Sequence, residues 1–217
     1  MDRDRRRASA HLSTALGILG GTFDPVHHGH LRLAIEVLER LGLDEVRLLP
    51  TATTNLRDTP TASPAQRLAM LESALVPGLV ADDREIRRGG RSYTIDTLIE
   101  MRQELPQASF YFVLGADAWN ALPRWHRWQE LLDYANLVIA TRPGVTLTDI
   151  PELAAARCET LAEFRAARAG RVLVLPIPRL PISSTDIRAR LHAGHRVDYF
   201  TPAAVVALID REGLYRE

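Results

Sequence analysis

Leu16-Gly17-Ile18-Leu19-Gly20-Gly21-Thr22-Phe23-Asp24-Pro25-Val26-His27-His28-Gly29-His30-Leu31 changes its periodicity half-way along. Leu16 to Leu19 is a short apolar run that stops at Gly20-Gly21, as a buried parallel strand does before a tight turn. From His30 the spacing becomes helical: Leu31, Ala34, Ile35, Leu38 and Leu41 fall at i, i+3, i+4, i+7 and i+10, and Gly42 is placed to stop the helix. Val46-Arg47-Leu48-Leu49 reads as the next strand. Together these predict a βαβ unit whose crossover is right-handed.

The alternation continues outward from that unit. Thr51 to Ala62 is largely polar and reads as a loop, and Ser63-Pro64-Ala65-Gln66 opens a helix with a cap, a first-turn proline and a capping-box glutamine. Pro77-Gly78 is expected to end that helix, with Leu79-Val80 as a brief strand. Thr94 to Glu104 reads as a helix with Ile95, Leu98 and Ile99 inward. Phe110 to Leu114 and Asn136 to Ala140 are continuous β-forming runs, bounded by Gly115 and by Arg142-Pro143-Gly144. Residues 150 to 169 are expected to be helical, followed by a strand at Arg171 to Leu175 and short helices near Ser184 to His192 and Thr201 to Arg211. Strands and helices alternating in this way predict a doubly wound α/β fold on a mainly parallel sheet. Ligands of such sheets bind beyond the carboxyl ends of the strands, so the segments just after each strand carry the function.

Composition bounds that function. The 217 residues, 46% hydrophobic and 25% charged, suit a globular chain, expected as one domain over residues 15–217 after a disordered basic tail at 1–14. With 27 basic and 27 acidic residues no overall field favours nucleic acid or an anionic membrane, so any phosphate binding is local. Cys158 is alone, which excludes an intrachain disulfide and a cysteine-cluster metal site. No apolar run approaches the ~18 residues of a membrane span, and the charged start lacks the apolar stretch of a signal peptide. The expected compartment is the reducing cytoplasm.

Two segments carry chemistry. The Gly20 to His30 segment brings backbone close to a ligand at a helix start, where N–H groups attract anions. His27 and His30, three apart, can project to one side and donate to phosphate oxygens, with no side chain at Gly29 between them. Neither G-x-G-x-x-G nor the P-loop pattern is present, and no H-E-x-x-H follows. His-His-Gly-His by itself therefore fits a metal site or a phosphate site about equally. The second segment, Ile182-Ser183-Ser184-Thr185-Asp186-Ile187-Arg188, opens a helix after a strand with hydroxyls at its cap and Arg188 one turn in. It reads either as an ordinary helix capped by Ser183 and Asp186 or as a second phosphate cradle. The two segments together favour phosphate.

Taken as a pair, these segments resemble the signatures of the HxGH nucleotidylyltransferase superfamily, and within it the chain is similar to the bacterial nicotinate mononucleotide adenylyltransferases from about Leu16 to Gly213-Leu214-Tyr215-Arg216. Ser92-Tyr93-Thr94, Gly115-Ala116-Asp117, Pro123-Arg124-Trp125 and Arg142-Pro143-Gly144 match that family in order. Phosphopantetheine and cytidylyl relatives share the two phosphate motifs but not these. The resemblance implies a Rossmann-like nucleotidylyltransferase fold and ATP held by Gly20, Gly21, Thr22, Phe23, His27, His30, Gly115, Asp117, Arg142, Ser183, Ser184, Thr185 and Arg188. It implies nicotinate mononucleotide held by Thr22, Phe23, Arg57, Tyr93, Thr94, Trp125 and His126, with His27, His30 and Arg188 as the catalytic set. Mg2+ would arrive with ATP, and no metal site of the protein's own is expected.

The loop after the second strand departs from the family pattern Pro-x-x-x-Pro-Pro-His followed by a basic residue. Here it reads Pro50-Thr51-Ala52-Thr53-Thr54-Asn55-Leu56-Arg57, which keeps the basic residue and loses the histidine and both prolines before it. The implied reaction is attack of the acceptor phosphate on the α-phosphorus of ATP, releasing pyrophosphate. That acceptor is already ionised, so alignment and charge neutralisation suffice without a general base. The rivals are the same transfer to phosphopantetheine, flavin mononucleotide or nicotinamide mononucleotide, and a nucleotide-binding regulator without turnover.

Overall fold

In a computed structural model, which describes residues 14–53, 60–141, 144–178 and 180–216, the Leu16 run is strand β1 (Ala15–Gly21) at the centre of a six-stranded sheet. Its partners are β2 (Glu45–Pro50), β3 (Leu79–Ala81), β4 (Ser109–Gly115), β5 (Asn136–Thr141) and β6 (Val172–Pro176), in the order β3-β2-β1-β4-β5-β6 and parallel throughout. The order reverses between β1 and β4, and the crevice beyond their carboxyl ends is the binding position of a doubly wound sheet.

Both faces of the sheet are covered, which explains the continuous apolar runs. Side chains alternate along each strand: Leu16 and Ile18 share one core with Phe110, Phe112, Leu114, Leu137 and Ile139, while Leu19, Tyr111, Val113, Val138 and Ala140 belong to the other. Helix α1 (His28–Leu41) lies on the second face through Leu31, Ala34, Val37 and Leu41, and stops at Gly42, whose φ of 58° is the left-handed cap conformation glycine tolerates best. Helix α2 (Pro64–Glu72) starts with the expected capping box, Ser63 Oγ accepting from the Gln66 amide and Gln66 Oε1 from the Ser63 amide. After β3 come α3 (Arg84–Arg88) and α4 (Thr94–Glu104), the latter with the boundaries its spacing predicts. Helices α5 (Ala116–Ala121) and α6 (Leu131–Tyr134) flank two short 3-10 turns between β4 and β5, and α7 (Leu161–Arg165), α8 (Ser184–His192) and α9 (Ala203–Glu212) complete the order.

The short helices α3, α5 and α6 have no counterpart in the sequence reading, and two longer stretches depart from it. Helix α2 ends at Glu72, well before Pro77-Gly78, because the Ser73 hydroxyl donates to the Met70 carbonyl and the chain tightens into a turn. Residues 150 to 169 are not one helix. A 3-10 turn at Pro151–Ala156 and the short α7 flank an extended Arg157-Cys158 step, where the Cys158 amide donates to the Val172 carbonyl at the edge of β6. The unpaired edge backbone outweighs the helix propensity of the alanines there. The tail at 1–13 lies outside the described residues.

Candidate functional site

At the end of β1, Gly21 pairs with Pro50, and Ile18 pairs with Phe112, so the Gly20-Gly21 turn and Gly115 emerge at the same end of the sheet. The turn then runs through Phe23, buried and at a φ of 50°, a region that costs a bulky residue energy and concentrates at ligand-binding turns. Asp24-Pro25 is a cis peptide. Helix α1 starts at His28, two residues earlier than the spacing predicts, with His27 as its N-cap. The His27 and His30 rings stack with centroids 3.7 Å apart, and Phe23 packs edge-on against His30 at 5.0 Å. A Cβ on Gly29 would lie 2.9 Å from His27 Nδ1, so the paired imidazoles need glycine there.

The second segment closes on the first. The Ser184 hydroxyl donates to the Pro25 carbonyl at 2.9 Å, and Arg188 Nη1 donates to the Asp24 carbonyl at 2.7 Å. Ser183 caps α8 by accepting from the Asp186 amide at 3.1 Å, so the capping reading of this segment holds alongside its position at the site. Thr185 is exposed at the start of the same helix. Stretches more than 150 residues apart thus form one junction, with Thr61, Thr185, Arg188 and Tyr215 lining a cleft of about 310 Å³ beside it.

Two buried charges brace this junction, and neither was assigned a role from sequence. Asp24 accepts from the Thr61 and Ala62 amides at 2.9 and 3.1 Å and from the Tyr215 hydroxyl at 2.7 Å. Burial, and next the Asp24 carboxylate, push the Tyr215 phenol far above its ordinary range, so it acts as a donor. Arg67, fully buried in α2, donates to the carbonyls of Thr22, Thr51, Ala52 and Ala62, tying the ends of β1 and β2 together. Burial draws its pKa down, with Asp24 acting in the opposite sense. The motif position of Asp24 hinted at its importance, whereas an arginine within a helical pattern reads as a solvated residue.

The other end of the crevice is aromatic. Tyr93 is the N-cap of α4 and stacks tilted on His126 at 4.5 Å, and Thr94 begins that helix. Of the three tryptophans, Trp119 and Trp128 are core residues, and Trp119 Nε1 donates to the Thr148 carbonyl. Trp125 is only half-buried, edge-on to Phe112 at 6.3 Å, which leaves it as the platform candidate. Gly115 is the N-cap of α5 and has open space where a Cβ would stand, with Asp117 exposed in the first turn. Arg57, Arg142 and the Thr54 to Leu56 part of the variant loop lie outside the described residues. Among the described residues, no three His, Cys, Asp or Glu side chains form a group that could hold a metal ion, and no helix is long and apolar enough to cross a membrane.

The sequence matches the cytidylyltransferase-like family over residues 18–190. It is 47% identical to the probable nicotinate-nucleotide adenylyltransferase of Aeromonas hydrophila, over 94% of this chain and 99% of that protein. The chain belongs to the nicotinate-nucleotide adenylyltransferase family. The protein of the same name in Pseudomonas syringae pv. tomato is 44% identical over 94% of this chain and 95% of its own length. The nicotinic acid mononucleotide adenylyltransferase of Plasmodium falciparum, solved in complex with NaAD, superposes with a TM-score of 0.71 over 93% of this chain and 97% of that one. At 18% identity that likeness shows the shared fold, the Rossmann-like nucleotidylyltransferase arrangement expected from the two signature segments. The crevice of this nicotinate-nucleotide adenylyltransferase family member has Arg188 and a helix start at one end and the Tyr93, His126 and Trp125 rings with a second helix start at the other.

Proposed function

We propose that the chain transfers the adenylyl group of ATP to nicotinate mononucleotide, releasing pyrophosphate and forming nicotinate adenine dinucleotide, a step of NAD biosynthesis. The observation that carries the reading is the junction of the two signature segments: Ser184 and Arg188 donate to the Pro25 and Asp24 carbonyls, on the same turn that leads into the stacked His27 and His30. In this reading Gly20, Gly21, Thr22 and Phe23 present backbone to the nucleotides, and His27, His30, Thr185 and Arg188 hold the triphosphate, with Gly115 and Asp117 at the adenosine ribose. Thr94 and Trp125 receive the nicotinate carboxylate and ring, flanked by Tyr93 and His126.

The acceptor phosphate is the nucleophile and is ionised at neutral pH, so no side chain has to remove a proton. What remains is to align it with the α-phosphorus and to stabilise charge that builds on the α-phosphoryl and the leaving pyrophosphate. Imidazole N–H donors and a guanidinium at a helix start do this without reorganising. Mg2+ belongs to the bound triphosphate in this scheme. Asp24, the carboxylate of the motif, already accepts from two amides and a phenol, which suits a brace better than a metal ligand.

The test is incubation of the purified chain with ATP, Mg2+ and each candidate acceptor, following pyrophosphate and identifying the dinucleotide. Pyrophosphate and nicotinate adenine dinucleotide in equal amounts are expected; release only with phosphopantetheine or flavin mononucleotide, or none with any acceptor, refutes the proposal. Trp125→Ala is expected to raise KM for nicotinate mononucleotide ~10-fold, through loss of ring stacking, with KM for ATP little changed. A collapse of ATP binding instead would remove Trp125 from the acceptor platform.

A further inference from the structure

Behind the Tyr93 and Thr94 segment stands a buried carboxylate with no part in the chemistry above. Glu85, on α3, is 6% exposed. The Thr97 hydroxyl donates to its Oε1 at 2.8 Å, and the Ser92 hydroxyl also bonds its carboxylate. Arg88 faces the same group and donates from Nη2 to Thr97 Oγ1 at 2.7 Å. Ser92 Oγ in turn accepts from the Ala52 amide at 3.2 Å, which links the segment to the loop beyond β2. Ser92 precedes Tyr93 and Thr94 and Thr97 follows them, so one carboxylate grips the chain on both sides of the acceptor residues.

That grip anchors, through side-chain hydroxyls, a helix start that has no side-chain cap of its own. The N-cap of α4 is Tyr93, whose side chain makes no cap hydrogen bond, because a phenol cannot turn back onto the first-turn amides as a serine or aspartate does. Burial pushes the Glu85 carboxyl upward against the pull of Thr97, Ser92 and Arg88. A buried ionisable group adds little net stability and is best attested as a device for fixing register. Here the register concerned is the start of α4.

We infer that Glu85 is a positioning residue for the acceptor: it fixes the first turn of α4, and so holds Tyr93 and Thr94 where they meet the pyridine ring and its carboxylate. This rests on the acceptor reading of Tyr93 and Thr94 given above. The carboxylate touches no reacting atom and acts only through that segment.

Steady-state kinetics of full-length Glu85→Ala, Glu85→Gln, Thr97→Val and Thr94→Ala, with KM measured for both substrates, test it. Glu85→Ala is expected to raise KM for nicotinate mononucleotide ~10-fold with KM for ATP within about twofold, and Glu85→Gln, which keeps an oxygen for Thr97 and Ser92, to recover most of the loss. Instability alone would shrink the active fraction and lower apparent kcat without moving one substrate's KM. If Glu85→Ala does not fold, Thr97→Val decides, with an expected rise of ~3-fold confined to the acceptor. An unchanged acceptor KM, or equal rises for both substrates, overturns the inference. Thr94→Ala separates the two levels. No change in acceptor KM there refutes the acceptor reading itself, whereas a rise there without one at Glu85 or Thr97 refutes only the positioning role.

Discussion

Replacing His30 with alanine is expected to lower kcat ~10²-fold or more, with KM for each substrate changed far less. The reason lies in where charge develops. Before reaction the α-phosphoryl already carries negative charge, but in the transition state the bond to pyrophosphate lengthens and the leaving oxygens gain more. A donor placed for that extra charge acts on kcat, because its contact strengthens only as the reaction proceeds. In the proposed site four features hold the His30 ring: the first turn of α1, the His27 ring stacked on it at 3.7 Å, the Phe23 edge at 5.0 Å and the side-chain-free Gly29 between the histidines. Initial rates of pyrophosphate release at saturating substrates check it. Turnover within about threefold of the parent would remove His30 from the charge-stabilising set.

The second large effect is expected on stability. Arg67→Met keeps an unbranched side chain of comparable length in the core but leaves the carbonyls of Thr22, Thr51, Ala52 and Ala62 without the donor they share. It also removes one of two cations near buried Asp24, the other being Arg188 at 3.8 Å. Four carbonyls left without their buried donor place the cost at about 3 kcal/mol or more. A urea unfolding series should show the midpoint falling with little change in slope. A loss below about 1 kcal/mol would mean that water or a repacked side chain satisfies those carbonyls as well as the guanidinium does.

The sequence was most legible where local signals agree. The switch from apolar run to helical period marks β1 and α1, and hydrophobic spacing or capping residues place α4 and α8. That the Gly20 to His30 and Ile182 to Arg188 segments meet was legible because two short motifs, each ambiguous alone, follow strands of one sheet. Long-range demands were illegible. Nothing near Arg67 shows that four carbonyls from three segments will surround it, and nothing near Glu85 shows that α4 will need an outside anchor. Residues 150 to 169 misled for the same reason, since their alanines favour helix while the edge of β6 takes Arg157 and Cys158 into backbone pairing. Only resemblance singled out Trp125 among three tryptophans; the structure buries Trp119 and Trp128 and leaves Trp125 half-buried.

The acceptor is the central claim, and a comparison of kcat/KM for nicotinate mononucleotide and nicotinamide mononucleotide, each with saturating ATP and Mg2+, tests it most directly. The two differ by a single ring substituent, a carboxylate against an uncharged amide. The helix start at Thr94 should favour the charged form by ~10-fold or more, since an anion at a helix N-terminus gains from both the amide donors and the dipole. Equal efficiency with the two, or a preference for the amide, would contradict this account of the site.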